Sequence, residues 1–240
     1  GLGVKKGTPV AIIADTRIEW AAVDMSNLVL GGVTVGIYPS LLADQVAYIL
    51  EDGECEIAVV ENAAQAEKVS AHRDRLPKLR HIVSMEPVPG LKSQADLHAE
   101  VDMDWLARKV AEVGPDDVCT LIYTSGTTGD PKGAILTHGN FMHVVHATES
   151  LVDVLPEDRG LIFLPLAHSL QRMAQYRGYL QEGSGYWVSI AELIDVVPEV
   201  KPTIMATVPR MLEKIHSRAE ATVDAKGGAV KRVYDWAFAV

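Results

Sequence analysis

The chain has 240 residues, 48% of them hydrophobic and 22% charged, which is enough apolar material for one large domain or two small ones. A formal net charge of −10 and a pI near 5.2 exclude broad electrostatic capture of nucleic acid or of an anionic membrane, since both need a basic face. Any anion must therefore be held by a local site.

The N-terminus opens at Gly1 without an initiator methionine, and residues 2–7 read like the end of an earlier element, so the chain is expected to lack an N-terminal piece. No charged, apolar and small-residue signal pattern precedes the first strand. From there, β-branched runs predict strands at 9–14, 33–38, 57–60 and 81–84, and apolar residues at helical spacing predict helices at 18–30, 44–52 and 63–75. The uncharged stretch 25–43 is interrupted by Asn27, Gly31, Gly32, Gly36 and Pro39, so it reads as a buried helix end, a turn and a strand rather than a membrane span. The polar, proline-bearing segment 86–104 is the best internal boundary, dividing a first βα block (1–95) from a second (96–240). Beyond it, strands are expected at 118–123, 161–164, 186–189 and 203–207, and helices at 103–113, 140–154, 169–181 and 210–219. Strands alternating with longer amphipathic runs predict an α/β fold with layered, largely parallel sheets and flanking helices. Cys55 and Cys119 lie in no CxxC pair and read as buried free thiols of a cytoplasmic protein.

The most informative segment follows the strand at 118–123: Tyr123-Thr124-Ser125-Gly126-Thr127-Thr128-Gly129-Asp130-Pro131-Lys132-Gly133. Glycines let backbone N–H groups close on an anion, the hydroxyls add donors, and Lys132 adds a positive charge. No Gly-Lys-Ser/Thr closes the run and the lysine follows a proline, so it is not a Walker A loop. The first strand is followed by no G-x-G-x-x-G, which argues against a dinucleotide oxidoreductase. His138, His143 and His146 invite a zinc reading, but no further ligand set accompanies them.

The string YTSGTTGDPKG resembles the phosphate loop of the adenylate-forming, or AMP-binding, superfamily. Other stretches are similar to its long-chain acyl-CoA synthetases: "VAIIADTRIEWAAVDMSNLVLGGVTVGIYPS", "QVAYILEDGECEIAVVEN", "LPLAHSLQR" and "PTIMATVPRMLEKI". The resemblance implies ATP-dependent activation of a long-chain fatty acid to acyl-AMP and transfer to coenzyme A, with Mg²⁺ as the metal. Activation of another carboxylic acid, and a truncated nucleotide-binding or interaction module, stay open as alternatives. It implies that Thr124, Ser125, Gly126, Thr127, Thr128, Gly129 and Lys132 hold phosphate, that Thr127 helps ligate Mg²⁺, and that Lys132 and His168 serve catalysis. Arg172 stands one turn after His168, where some relatives place an aromatic gate to the acyl tunnel, a departure from the pattern. Tyr176, Tyr179, Tyr186 and Trp187 are candidates for an acyl pocket or for core packing. The adenine, ribose, hinge and lid motifs of the superfamily do not occur before Val240, and 231–240 reads as a helix stopped midway. The chain is therefore expected to be part of a large N-terminal domain, without its lid domain, inactive alone and with exposed apolar surface. Partners implied are small molecules, with no nucleic acid and with peripheral membrane association and oligomeric state left open.

Overall fold

The computed structural model describes residues 2–97, 100–124, 130–181 and 183–238. In the first half, strands rich in Val, Ile and Ala alternate with helices that bury one face. In order these are β1 (Pro9–Ile13), α1 (Ile18–Val29), β2 (Val33–Ile37), α2 (Ala43–Asp52), β3 (Ile57–Val60), α3 (Ala63–Ser70), β4 (His81–Ser84), β5 (Lys92–Ser93) and α4 (Met103–Ala111). They are followed by β6 (Val118–Thr124) and β7 (Lys132–Thr137), and the strands form one seven-stranded sheet in the order β5-β4-β3-β1-β2-β6-β7. All neighbours pair in parallel except β6 and β7, which are antiparallel. The central strands are apolar along their whole length because both faces are covered: Ala11, Ile12, Ile13, Val35, Ile37, Ile57, Ala58 and Val60 are all fully buried. β6 belongs to this sheet although residues 86–104 separate it in sequence from the first block.

The second half contains α5 (His138–Ala147), β8 (Arg159–Ile162), α6 (Ser169–Tyr179), β9 (Ser184–Trp187), α7 (Leu193–Val200), α8 (Pro209–Lys226) and α9 (Gly228–Phe238). β8 and β9 form a second, parallel sheet with α6 as the crossover. The run 203–207, expected as a strand, contributes only a bridge between Gly160 and Ile204, between Pro202, which has no N–H for a ladder, and Pro209, which starts α8. The helix expected at 140–154 begins earlier, at His138, because Thr137 and Asn140 form a reciprocal capping box. It ends at Ala147, where Thr148 returns its hydroxyl to the Val145 carbonyl. The helix expected at 63–75 stops at Ser70 and gives way to a 3-10 turn at Arg73–Arg75. Strands β5 and β7 and helix α7 are additions to the expected elements, β5 lying inside the segment 86–104 expected as a boundary. On α9, Val230, Val233 and Trp236 are exposed at three-residue spacing. No described helix is long and apolar enough to cross a membrane.

The two halves meet through a closed circuit of buried polar groups. α1 turns Trp20, Asp24, Asn27 and Leu28 toward the protein interior, and Asp24 Oδ1 lies 2.8 Å from Arg172 Nη2 of α6, both side chains with 0% exposure. Tyr176 Oη, one turn along α6, donates to Asp24 Oδ2 at 2.6 Å and accepts from Arg172 Nη2 at 2.7 Å. Arg172 Nη1 donates to Thr120 Oγ1 of β6 at 2.7 Å, and that hydroxyl donates to the Thr34 carbonyl of β2. Thr34 Oγ1 accepts from Asn27 Nδ2 at 3.0 Å, which returns the circuit to α1. The rings of Trp20, Phe141 and Tyr176 surround the guanidinium at 5.4 to 5.6 Å, close enough for cation–π attraction. Burial is the largest single influence and works against the charged guanidinium, but the Asp24 charge and the Tyr176 hydroxyl together outweigh it and raise the pKa of Arg172 above its ordinary value.

Removing one partner of such a pair leaves the other charge buried and uncompensated. Arg172→Met is expected to lower stability by about 3–5 kcal/mol in urea unfolding, and adding Asp24→Leu should restore part of the loss. Burial also pushes the Cys55 thiol up to about 12 and that of Cys119 up to about 11, so few thiolates exist at pH 8. A thiol-reactive disulfide reagent at that pH should label neither cysteine in the native protein and both after denaturation.

Candidate functional site

β6 delivers its carboxyl end to the glycine- and hydroxyl-rich run, and β7 leads away from it. Thr124 and Lys132 are register partners across the two strands and both are exposed, so the two expected site residues that flank the run stand side by side at the mouth of a hairpin. Ser125, Gly126, Thr127, Thr128 and Gly129 lie outside the described residues. The Tyr123 ring closes over the backbone of Gly133, where a Cβ would lie 3.1 Å from the ring. The hairpin mouth is at the carboxyl edge of the parallel strands, the edge at which open α/β sheets bind ligands.

His168 reaches the same edge by a different route. The segment before it crosses the end of β2 at Gly36, where a Cβ would meet the Ala167 Cα at 2.8 Å. Gly36 is in turn the register partner of Ile122 in β6. Thr16, just after β1, fixes this crossing by donating from Oγ1 to the Leu164 carbonyl at 2.7 Å. His168 caps α6: its Nδ1 accepts from the Leu170 N–H at 3.2 Å, which leaves the ring proton on Nε2. With Tyr38, Leu164, Pro165, Leu170, Gln171 and Val208 it lines a cavity of about 180 Å³.

Arg172 is not a gate. It points into the circuit with Asp24 and is completely buried, so no aromatic or cationic gate stands at this turn of α6. Sequence reading misses this pair, although a signal is present: Asp24 falls between Trp20 and Leu28 at helical spacing, on the face that must be apolar. Of the aromatic candidates, Tyr179 and Trp187 line a larger, mostly apolar cavity of about 350 Å³ between α6, the second sheet and residues 204–206. Trp187 is fixed there by donation from Nε1 to Gln175 Oε1 at 3.0 Å. Tyr176 belongs to the buried circuit, and Tyr186 is exposed.

Among the described residues no group of three His, Cys, Asp or Glu side chains could hold a metal ion. His146 is paired with Glu149 at 3.0 Å. Thr127, the expected Mg²⁺ contact, is outside the described residues, so the described side chains do not by themselves fit a divalent cation.

The family model described as AMP-binding enzyme matches residues 1–234. The chain is 34% identical to the long-chain-fatty-acid–CoA ligase FadD15 of Mycobacterium bovis, over 98% of the chain and 41% of the ligase. It is 30% identical to fatty acyl-CoA synthetase A of Dictyostelium discoideum, over 98% of the chain and 37% of that protein. It thus spans well under half the length of these relatives. Among solved structures, the inhibitor-bound N-terminal domain of FACL13 from Mycobacterium tuberculosis superposes with a TM-score of 0.70 at 25% identity, covering 88% of this chain and 52% of that one. The anthranilate CoA ligase AuaEII in complex with anthranoyl-AMP superposes with a TM-score of 0.71 at 24% identity, covering 85% and 40%. The match over residues 1–234, carried on a largely parallel sheet with Thr124 and Lys132 at its carboxyl edge, shows that the chain belongs to the AMP-binding enzyme family.

Proposed function

We propose that the protein carrying this chain is a long-chain fatty-acid–CoA ligase, and that residues 1–240 form part of its large domain, in two βα blocks, without the lid. The reading is supported by the placement of Thr124 and Lys132, the residues that flank the glycine- and hydroxyl-rich run in sequence, side by side at the β6–β7 mouth. In the first half-reaction a carboxylate oxygen attacks the α-phosphorus of ATP, the bond to pyrophosphate breaks, and acyl-AMP forms. In the second the thiol of coenzyme A attacks the acyl carbonyl, AMP leaves, and a thioester remains. Thr124, Ser125, Gly126, Thr127, Thr128, Gly129 and Lys132 are assigned to the phosphates, with Thr127 also the assigned Mg²⁺ contact. Lys132 and the donors of the run offset the charge that grows on the departing pyrophosphate. His168, with its proton on Nε2, is assigned to the carboxylate and adenylate. The apolar cavity of about 350 Å³, within the range of small-molecule sites, and the names of the relatives support a fatty acyl substrate. A cytoplasmic enzyme of lipid metabolism follows from this reading, with peripheral membrane contact through its substrate, and the 240-residue segment is assigned no turnover by itself.

The protein as encoded by its own gene should catalyse ATP–pyrophosphate exchange that depends on a long-chain fatty acid. Lys132→Ala should slow acyl-AMP formation by about 100-fold while leaving thioester formation from supplied acyl-AMP within a few-fold. Equal loss in both steps would remove Lys132 from the phosphate site. Preference for an aryl or short-chain acid in a substrate panel would move the assignment to another carboxylic acid, and ATP binding without any acyl-AMP would favour a non-catalytic module.

A further inference from the structure

Helix α2 ends in a way that its own stability does not favour. Its last residue is Asp52, and no basic residue stands in its last turn, although a carboxylate there meets the negative end of the helix dipole. Local rules of this kind are broken where a side chain serves something beyond the helix. The Asp52 carboxylate does so, because its Oδ2 accepts from Tyr123 Oη at 2.6 Å. One turn earlier, Tyr48 Oη donates to the Pro131 carbonyl at 3.2 Å. Tyr123 is the last residue but one of β6, and Pro131 directly precedes β7. The two contacts therefore fall on opposite arms of the hairpin, one on each side of the phosphate run. The helix supplying them is rigidly seated, since Val46, Ala47, Ile49 and Leu50 are at most 2% exposed and both tyrosine rings pack against the same core. Burial and the Asp52 charge raise the pKa of Tyr123, and burial with the charges of Asp52 and Asp130 raises that of Tyr48, so both hydroxyls remain donors through neutral pH.

We infer that Tyr48 and Asp52 are positioning residues for the nucleotide site: α2 clamps both arms of the β6–β7 hairpin and so sets the spacing of Thr124 and Lys132 across its mouth. The inference rests on the proposed reading of the glycine- and hydroxyl-rich run as the ATP phosphate site, but the clamp itself can be tested without nucleotide. Lys132 is exposed and begins β7, so trypsin cleavage after it reports whether the hairpin mouth is held closed.

The test uses the protein as encoded by its own gene, with Asp52→Ala, Asp52→Asn and Tyr48→Phe. Without nucleotide, Asp52→Ala should speed tryptic cleavage after Lys132 by about tenfold, the weight of one hydrogen bond to a charged acceptor, and leave cleavage after Arg108 on α4 unchanged. Tyr48→Phe should speed it by about threefold, as for a neutral bond. Asp52→Asn should fall between wild type and Asp52→Ala, about threefold above the wild-type rate, because the amide oxygen still accepts from Tyr123 but without the charge. ATP affinity measured by calorimetry should weaken in the same order, and KM for ATP should rise with KM for the acyl acid unchanged. The urea midpoint of Asp52→Ala should fall only slightly, because removing a carboxylate from the negative end of the helix dipole offsets part of the lost bond; a merely structural role would lower the midpoint and leave KM for ATP unchanged. Wild-type cleavage rates after Lys132 in both Asp52→Ala and Tyr48→Phe would overturn the clamp. Wild-type protein that binds no ATP would sink the functional reading, and the proteolysis arm would then decide the clamp by itself.

Discussion

Asp24 and Arg172 carry opposite charges into a region with no water to solvate either, and the position of nearly everything at the carboxyl edge depends on how that cost is offset. Moving two ions out of water costs several kcal/mol each even after relaxation. Their direct contact at 2.8 Å repays this only if the remaining donors and acceptors are also matched. They are matched by Tyr176, Thr120 and three aromatic rings. Pairs of this type contribute little net stability compared with well-packed apolar residues, so the circuit is better understood as a constraint on geometry. α6 is turned and placed so that Arg172 meets Asp24 on α1 and Thr120 on β6 together. Because Arg172 stands one turn after His168, fixing the arginine fixes the cap of the helix as well.

That constraint reaches both parts of the candidate site. Thr120 lies on β6 four residues before Thr124, and its hydroxyl joins β6 to the Thr34 carbonyl of β2. The same guanidinium thus sets the lateral position of the strand that carries the phosphate run and the orientation of the helix that carries His168. Gly36 and Thr16 complete the arrangement by letting the 164–168 segment lie directly on the sheet edge. A bulkier residue at position 36 would push that segment outward and separate the two halves of the site.

The parallel strands β1 to β4 are legible in the sequence because their apolar runs are continuous and bounded by glycines, prolines and amphipathic helices, whereas the two-residue β5, Lys92–Ser93, has no apolar run to show it. β7 is not, since in Lys132-Gly133-Ala134-Ile135-Leu136-Thr137 the preceding Gly/Thr-rich run reads as loop, and its pairing is decided by the hairpin with β6. α7 is hidden by Pro198 in its interior. The 203–207 run shows the reverse error: β-branched composition suggests a strand, but pairing needs a neighbour along the whole run and only Gly160 supplies one. At the site, the phosphate run is plain in sequence because its chemistry is contained in contiguous residues. The Asp24–Arg172 pair is not, because its partners lie 148 positions apart: Asp24 on the apolar face of α1 marks a buried charge, but nothing local names its partner.

Electrostatics sets a last condition on the site. A chain of net charge −10 repels a polyanion at long range, and screening over about 8 Å at physiological ionic strength reduces that repulsion without reversing it. On the proposed reading, attraction must then come from short-range donors and from the charge of Lys132 rather than from the surface as a whole. Such groups act only if their spacing is fixed before the anion arrives, because ordering a loop on binding subtracts directly from affinity. Nearby carboxylates are tolerable under the same condition, provided their oxygens are turned to other partners. Asp52 gives one oxygen to the Tyr123 hydroxyl, so a negative charge that would oppose the proposed nucleotide is turned to the β6 arm of the hairpin. In an acidic chain, preorganisation of this kind takes the place that a basic surface would hold elsewhere.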